Sequence, residues 1–185
     1  MRLVIQRVLE SSVTVDGKEI SRIGKGMLVL LGITQGDNPE TVKKYVNKLL
    51  KLRIWQEIPK QKPIPDGKQK EENNNGQSQE ETKTGEVPEK TKPLKTWDSN
   101  VVDNNFQIMV VSQFTLYGIM KGNKPDFHKA LGPEEAVKLY DNFLELLKKS
   151  YRPEMVQAGK FGAMMDVHLI NDGPVTLIID SNEKE

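Results

Sequence analysis

Leu3 to Val8 is rich in β-branched and apolar residues and reads as a strand, and Ser12 to Val15 alternates polar and apolar residues with the two-residue period of a half-buried strand. Asp16-Gly17 follows, and Ile20 to Ile23 reads as the next strand, so a hairpin turning at that pair is predicted. Met27 to Ile33 is an apolar run with no polar break, which suits a strand buried on both faces. The period then changes. Asn38 offers a helix cap, Pro39 suits a first turn, and Val42, Tyr45, Val46, Leu49 and Leu50 recur at helical spacing. A second helix is expected to begin near Pro133, with Glu134 and Glu135 in its first turn and Lys148 and Lys149 at its end. Its expected buried stripe is Ala136, Leu139, Tyr140, Phe143, Leu144 and Leu147. Further strands are expected at Gln107 to Leu116, Met164 to Ile170 and Val175 to Asp180. The sum is an α/β chain that is mostly β: a curved or barrel-like sheet with two helices packed outside it.

Residues 57–95 break the pattern. They hold no aromatic residue, few aliphatics, and prolines at 59, 63, 65, 88 and 93 among repeated Lys, Glu, Gln and Asn. Such a segment buries too little apolar area to offset the entropy of ordering it. The expectation is one domain over 1–185 interrupted by a low-complexity, flexible insertion at 57–95 that replaces a loop tip. Its charges read as a solubility feature, or as an RNA or partner contact through Lys60, Lys62, Lys68 and Lys70.

Charge limits the partners. Lys and Arg number 27 against 26 Asp and Glu, a formal net charge of +1. Proteins that grip a long nucleic-acid backbone carry an excess of positive charge, because phosphate neutralisation dominates their affinity. An RNA partner is therefore expected to be touched over a short part only. Absence of cysteine excludes disulfides, thiolate nucleophiles and cysteine-zinc sites. His128 and His168 are too few for a histidine-rich metal site or a Ser-His-Asp relay, and each is expected to satisfy a local hydrogen bond. No metal and no cofactor is expected. No apolar run approaches the ~20 residues that span a bilayer. Residues 1–8 intersperse polar residues, Arg7 among them, unlike the apolar core of a signal peptide, so a soluble cytoplasmic protein is the expectation.

Asn171-Asp172-Gly173-Pro174-Val175-Thr176 sets a Gly-Pro pair between two apolar strands. Proline fixes φ and lacks a donor, so within a sheet it belongs at a strand start, an edge or a bulge. Glycine before it lets the main chain come close to whatever it faces. Alone, the pair reads as a tight turn opening the last strand. Other words accompany it: Ser112-Gln113-Phe114-Thr115-Leu116, Met1-Arg2-Leu3-Val4-Ile5-Gln6-Arg7-Val8, Leu52-Arg53-Ile54-Trp55, Lys121-Gly122-Asn123-Lys124-Pro125-Asp126-Phe127 and Gly159-Lys160-Phe161-Gly162. Together they resemble the D-aminoacyl-tRNA deacylase family over nearly the whole chain except about Glu57 to Lys95.

The resemblance implies an ester hydrolase that releases a free D-amino acid and tRNA, with its site completed across a homodimer. Gly173-Pro174 is implied to be a cis peptide that reaches the partner's pocket as a rigid wall where an L side chain would point. Arg7 is implied to fix it. Ser112, Gln113, Phe114 and Thr115 are the implied catalytic stretch, with Gln113 ordering the pocket by hydrogen bonding. Phe161 is implied to line the pocket of the 3′-terminal adenosine, with Gly162 letting the base approach; a core phenylalanine at a bend is the other reading. Met165 either walls the amino-acid pocket or fills core. Two bond-breaking schemes stand open. Thr115 attacks as a covalent nucleophile, which requires a base that its sequence neighbours do not supply. Alternatively the adenosine 2′-hydroxyl helps activate water, and main-chain N–H groups around Phe114 and Thr115 hold the oxyanion. A steric wall cannot reject glycine, so glycyl-tRNA mischarged on tRNA(Ala) is an expected second substrate. Lys121, Lys124 and the Gly122–Pro125 loop either steer acceptor-stem phosphates or form a solvated basic loop. The rival to the whole reading is a nucleic-acid-binding module without catalysis.

Overall fold

The computed structural model of the chain describes residues 1–59 and 93–183, so most of the expected 57–95 insertion, with Lys60, Lys62, Lys68 and Lys70, lies outside the described residues. β1 (Arg2–Val15) is one continuous strand, where the sequence suggested two. Its partner runs beside its whole length. β2 (Lys18–Ile23) and β3 (Gly26–Gly32) form that return arm, with Arg2 facing Gly32, Val8 facing Gly26 and Ser11 facing Ile23 in one register that shifts only between Val13 and Thr14, next to the turn. Asp16 and Gly17 make the turn with φ of +50° and +75°. Positive φ at both central residues gives the mirror-image turn whose twist matches the strands it joins.

β3 pairs in parallel with β4 (Gln107–Ser112), and β4 in parallel with β7 (Val156–Ala158). On its other side β1 pairs antiparallel with β8 (Asp166–Asp180). β2 curls round to lie against β4 and β7, which gives the sheet its barrel-like curvature. Alternation along the strands divides the core in two. Leu3, Ile5, Val29, Leu31, Ile108 and Val110 face the helices α1 (Pro39–Lys51) and α2 (Pro133–Ser150). Val8, Val13, Leu28, Met109 and Val111 fill the concave interior. Val8 and Val13 have opposite parity, and the irregular pairing between Val8 and Glu10 lets both face inward.

Both helices start where the sequence indicates. Asn38 Oδ1 accepts from the N–H groups of Glu40 and Thr41, each at 3.0 Å, and Pro39 opens α1. α2 buries Ala136, Tyr140, Phe143 and Leu147, while Leu139 and Leu144 are only partly buried at the margin of the same core. Among the described residues no helix is long and apolar enough to cross a membrane.

Gly26 marks the tightest crossing between strands. A Cβ there would sit 1.9 Å from the carbonyl oxygen of Gln107, which is backbone and cannot swing away. Gly26→Ala is therefore expected to destabilise the fold by about 1–3 kcal/mol or more, the cost of overpacking. Gly132→Ala, with open space around its Cβ, is the comparison. Urea denaturation checks this, and equal midpoints for the two variants would contradict it.

Candidate active site

The strand expected to run to Leu116 stops at Ser112, and Phe114–Tyr117 is a single 3₁₀ turn. Gln113 N–H makes the last ladder bond, to Leu31 O at 2.8 Å. The chain then folds across Gly32, where a Cβ would lie 3.1 Å from Leu116 Cβ and 3.2 Å from Gln113 O. Leu116 N–H donates to Gln113 O and Gly118 N–H to Thr115 O, closing the turn at 3.3 and 2.9 Å. The N–H groups of Phe114 and Thr115 come first in that turn, so it offers them no internal acceptor. Gln113 Nε2 donates to Thr115 Oγ1 at 2.5 Å. Thr115 is exposed, Ser112 half-buried, and Phe114 58% exposed with its ring edge-on to Phe127 at 5.0 Å.

A clamp that the sequence reading missed holds this turn to the sheet. Arg2 Nε donates to Asp180 Oδ2 at 2.7 Å, its Nη1 to Leu116 O at 2.5 Å, and its guanidinium lies 4.9 Å from the centre of the Tyr117 ring. Burial pushes the Asp180 carboxyl up, but the Asn182 N–H and Arg2 outweigh it and hold the group below its ordinary value. Burial drives the Tyr117 phenol well above its ordinary range. The available signal was Asp180 itself, a carboxylate ending the apolar run Val175 to Ile179.

The end of β7 meets the same region. Gly159 N–H donates to Val110 O at 2.9 Å, and a Cβ on Gly159 would touch Met165 Sδ at 2.9 Å and Val111 Cγ2 at 3.4 Å. Val111 directly precedes Ser112, so the Gly159–Met165 stretch begins beside the Ser112–Thr115 stretch. Phe161 is half-buried, its ring 5.5 Å from that of Tyr140, whose hydroxyl is fixed on Val110 O at 2.9 Å. Gly162 is exposed at φ +72°. Met165 is half-buried, packed against the interior core.

Gly173-Pro174 lies elsewhere. β8 is one strand rather than the two expected, and the pair sits within it as a bulge. Gln6 faces Thr176 and Val8 faces Asn171, so Asp172, Gly173, Pro174 and Val175 together stand opposite Arg7 alone. The Gly173-Pro174 peptide is cis, Gly173 has φ +121°, and both residues are exposed. Arg7 is no solvated strand charge, its side chain being 18% exposed. Its Nε donates to Asp172 O at 3.1 Å and lies 3.3 Å from Asp172 Oδ2, while Nη1 donates to Ile54 O at 2.5 Å. A backbone carbonyl such as that of Ile54 leaves no mark in a sequence. A cleft of about 440 Å³ adjoins this anchor, lined by Arg7, Asp172, Trp55 and Phe106 among others.

Register separates the two halves of the expected site within one chain. Arg7 pairs with Met27, and Met27 with Ile108, four residues before Ser112 on β4. Four residues of strand span about 13 Å, before any distance across strands is added. The histidines engage carboxylates: His128 Nδ1 contacts Asp126, and His168 Nε2 lies 3.9 Å from Glu10.

The family model for D-Tyr-tRNA(Tyr) deacylase matches residues 4–73 and 81–180. The chain is 41% identical to D-aminoacyl-tRNA deacylase of Dictyostelium discoideum over 184 residues, covering 100% of both chains. It is 41% identical to D-aminoacyl-tRNA deacylase 1 of Mus musculus over 181 residues, 98% of this chain and 70% of that one. The solved structure titled c-Myc DNA Unwinding Element Binding Protein superposes with a TM-score of 0.76 at 40% identity, covering 99% of this chain and all of that one. A probable eukaryotic D-amino acid tRNA deacylase shares the fold, with a TM-score of 0.67 at 17% identity. The chain belongs to the D-Tyr-tRNA(Tyr) deacylase family.

Proposed function

We propose that this chain hydrolyses the ester of D-aminoacyl-tRNA, releasing the D-amino acid and tRNA, in a site that two copies complete. The observation that carries the reading is the exposed Asp172–Val175 bulge, anchored by Arg7 and set apart from its own Ser112–Thr115 turn. A two-fold pair lets the tip of one copy enter the pocket of the other. There the carbonyl oxygens of Gly173 and Pro174 face the α-carbon of the bound aminoacyl group. With amino group, ester carbon and ribose fixed, only hydrogen and side chain remain to be sorted. A main-chain wall sorts them by space, whatever the side chain. Glycine passes such a wall, so glycyl-tRNA mischarged on tRNA(Ala) is a second substrate.

An aminoacyl ester is already activated, and the site has mainly to position it and hold its oxyanion. Water attacks the ester carbon, aided by the adenosine 2′-hydroxyl. The carbonyl oxygen takes the negative charge against the Phe114 and Thr115 N–H groups. Collapse of the tetrahedral intermediate breaks the bond to the ribose oxygen, which leaves with a proton drawn from the attacking water. Thr115 Oγ1 accepts a hydrogen bond from Gln113, an orientation that supports a placing role over a nucleophilic one. Phe161 carries the adenine on the exposed part of its ring, and Gly162 admits it.

Deacylation of matched D-tyrosyl-, L-tyrosyl- and glycyl-tRNA tests the reading. Wild type is expected to clear the first and third and spare the second. Thr115→Ala is expected to lose less than about tenfold, the scale of one neutral hydrogen bond. Loss of a covalent nucleophile costs on the order of 10⁶-fold instead, and that result would restore the nucleophile scheme. A second reading, nucleic-acid binding without catalysis, draws on the 40%-identical structure, which is that of a c-Myc DNA Unwinding Element Binding Protein. Binding of nucleic acid with no release of amino acid would favour it.

A further inference from the structure

We propose that the hairpin of β5 (Ile119–Lys121) and β6 (Lys124–Asp126), continued to Lys129, grips phosphates of the single-stranded 3′ end of the tRNA through Lys124 and Lys129. This rests on the deacylase reading and says where the RNA backbone leaves the site. The hairpin begins two residues after the 3₁₀ turn that carries Thr115. It is fastened to that turn: the Phe127 ring packs on Phe114, and a Cβ on Gly118 would meet Phe127 Cε1 and Thr115 O, both at 3.0 Å. Thr34 Oγ1 donates to Lys129 O at 2.6 Å, which pins the backbone beneath that lysine. The mount is therefore rigid and adjoins the place of the terminal nucleotide.

Charge within the hairpin is already partly spent. Asp126 pairs with Lys121 and with the His128 ring, and accepts the His128 N–H at 3.0 Å. The Lys121 hydrogen bond, followed by those from His128, holds the Asp126 carboxyl far below its ordinary value, so it stays ionised and keeps Lys121 engaged. Lys124 and Lys129 are exposed and have no carboxylate within ion-pairing distance among the described residues. They are the free cations of the segment. In a chain of net charge +1 two such cations beside the site make a local grip, suited to a short piece of backbone.

Each phosphate contact to a single strand contributes about −0.7 to the slope of log affinity against log salt, so two predict a slope of about −1.4. Affinity should then fall about sevenfold between 50 and 200 mM salt. Binding of full-length tRNA is measured by fluorescence anisotropy, for wild type, Lys124→Glu, Lys129→Glu and the double variant. Turnover is measured separately on D-tyrosyl-tRNA and on the D-tyrosyl ester of adenosine, which has no phosphate. Each single variant should flatten the slope by about 0.7, and the double variant should bind tRNA weakly with almost no salt dependence. All should cleave the adenosine ester at the wild-type rate. Lys149→Glu, at the far end of α2, should keep the wild-type slope. A double variant that retains that slope, or that loses the adenosine ester as much as the tRNA, overturns the proposal. Wild type inactive on both esters would sink the deacylase reading, while the binding slopes still judge the hairpin.

Discussion

Replacing Gly173 with alanine is expected to lower hydrolysis of D-tyrosyl-tRNA by about 100-fold or more, the scale set by a misplacement near 1 Å at a reacting centre. Two facts combine at that position. Gly173 has φ +121°, a conformation that L side chains rarely adopt. A Cβ would also stand 2.9 Å from Arg7 Nη2 and 3.1 Å from Val175 Cγ2. Arg7 cannot retreat freely, because its other nitrogens are held by Asp172 O and Ile54 O. The tip must shift, and with it the wall proposed to face the α-carbon. The bulge is an exposed excursion from β8, so the core beneath it keeps its packing and the thermal midpoint should change little. Kinetics on D-tyrosyl-tRNA and a melting curve check this together. Near-wild-type turnover by the Gly173→Ala protein would remove the tip from the mechanism.

Phe161→Ala carries the second large expectation, a fall in kcat/KM of about 5- to 150-fold, which corresponds to losing roughly 1–3 kcal/mol of base stacking. Phe161 also packs on Tyr140, so the alanine variant loses some stability as well. Phe161→Leu separates the two effects. Leucine retains apolar contact with Tyr140 but presents no flat π face to adenine. It should melt near wild type and still lose most of the stacking. If the Phe161→Leu protein turns over at the wild-type rate, Phe161 is a core residue at a bend and not a platform.

Much of this architecture is legible in the sequence, for local reasons. Asp16-Gly17 takes the mirror-image turn that its residue types favour, and Asn38-Pro39 caps and opens α1 as helix chemistry dictates. The α2 stripe follows from its period, with Leu139 and Leu144 at the margin because a helix on a curved sheet buries a narrow face. Boundaries set by distant partners are a different matter. β1 reads as two strands because its parity changes near Val8, yet β8 and the return arm bridge the change. Gln107 to Leu116 reads as a strand by composition, but the chain turns at Gln113 because Gly32, on another strand, leaves room for it to cross. For the site, the motif words carry Gln113, Thr115, Arg7 and Gly173. The Arg2–Asp180 clamp and the Ile54 carbonyl depend on long-range placement, and no local pattern encodes that.

The proposed sorting of chirality by a neighbour's main chain has one direct consequence, which an equimolar mixture of Gly173→Ala and Phe161→Ala proteins can expose. In a mixed pair, the subunit with intact Phe161 receives the intact tip of the other, so one of its two sites is whole. Random exchange of subunits should then restore about one quarter of wild-type sites, from two proteins that are each impaired alone. Such recovery on D-tyrosyl-tRNA, with L-tyrosyl-tRNA still spared, is the predicted result. A mixture no more active than the average of its components, after subunit exchange has been verified by mass, would contradict it.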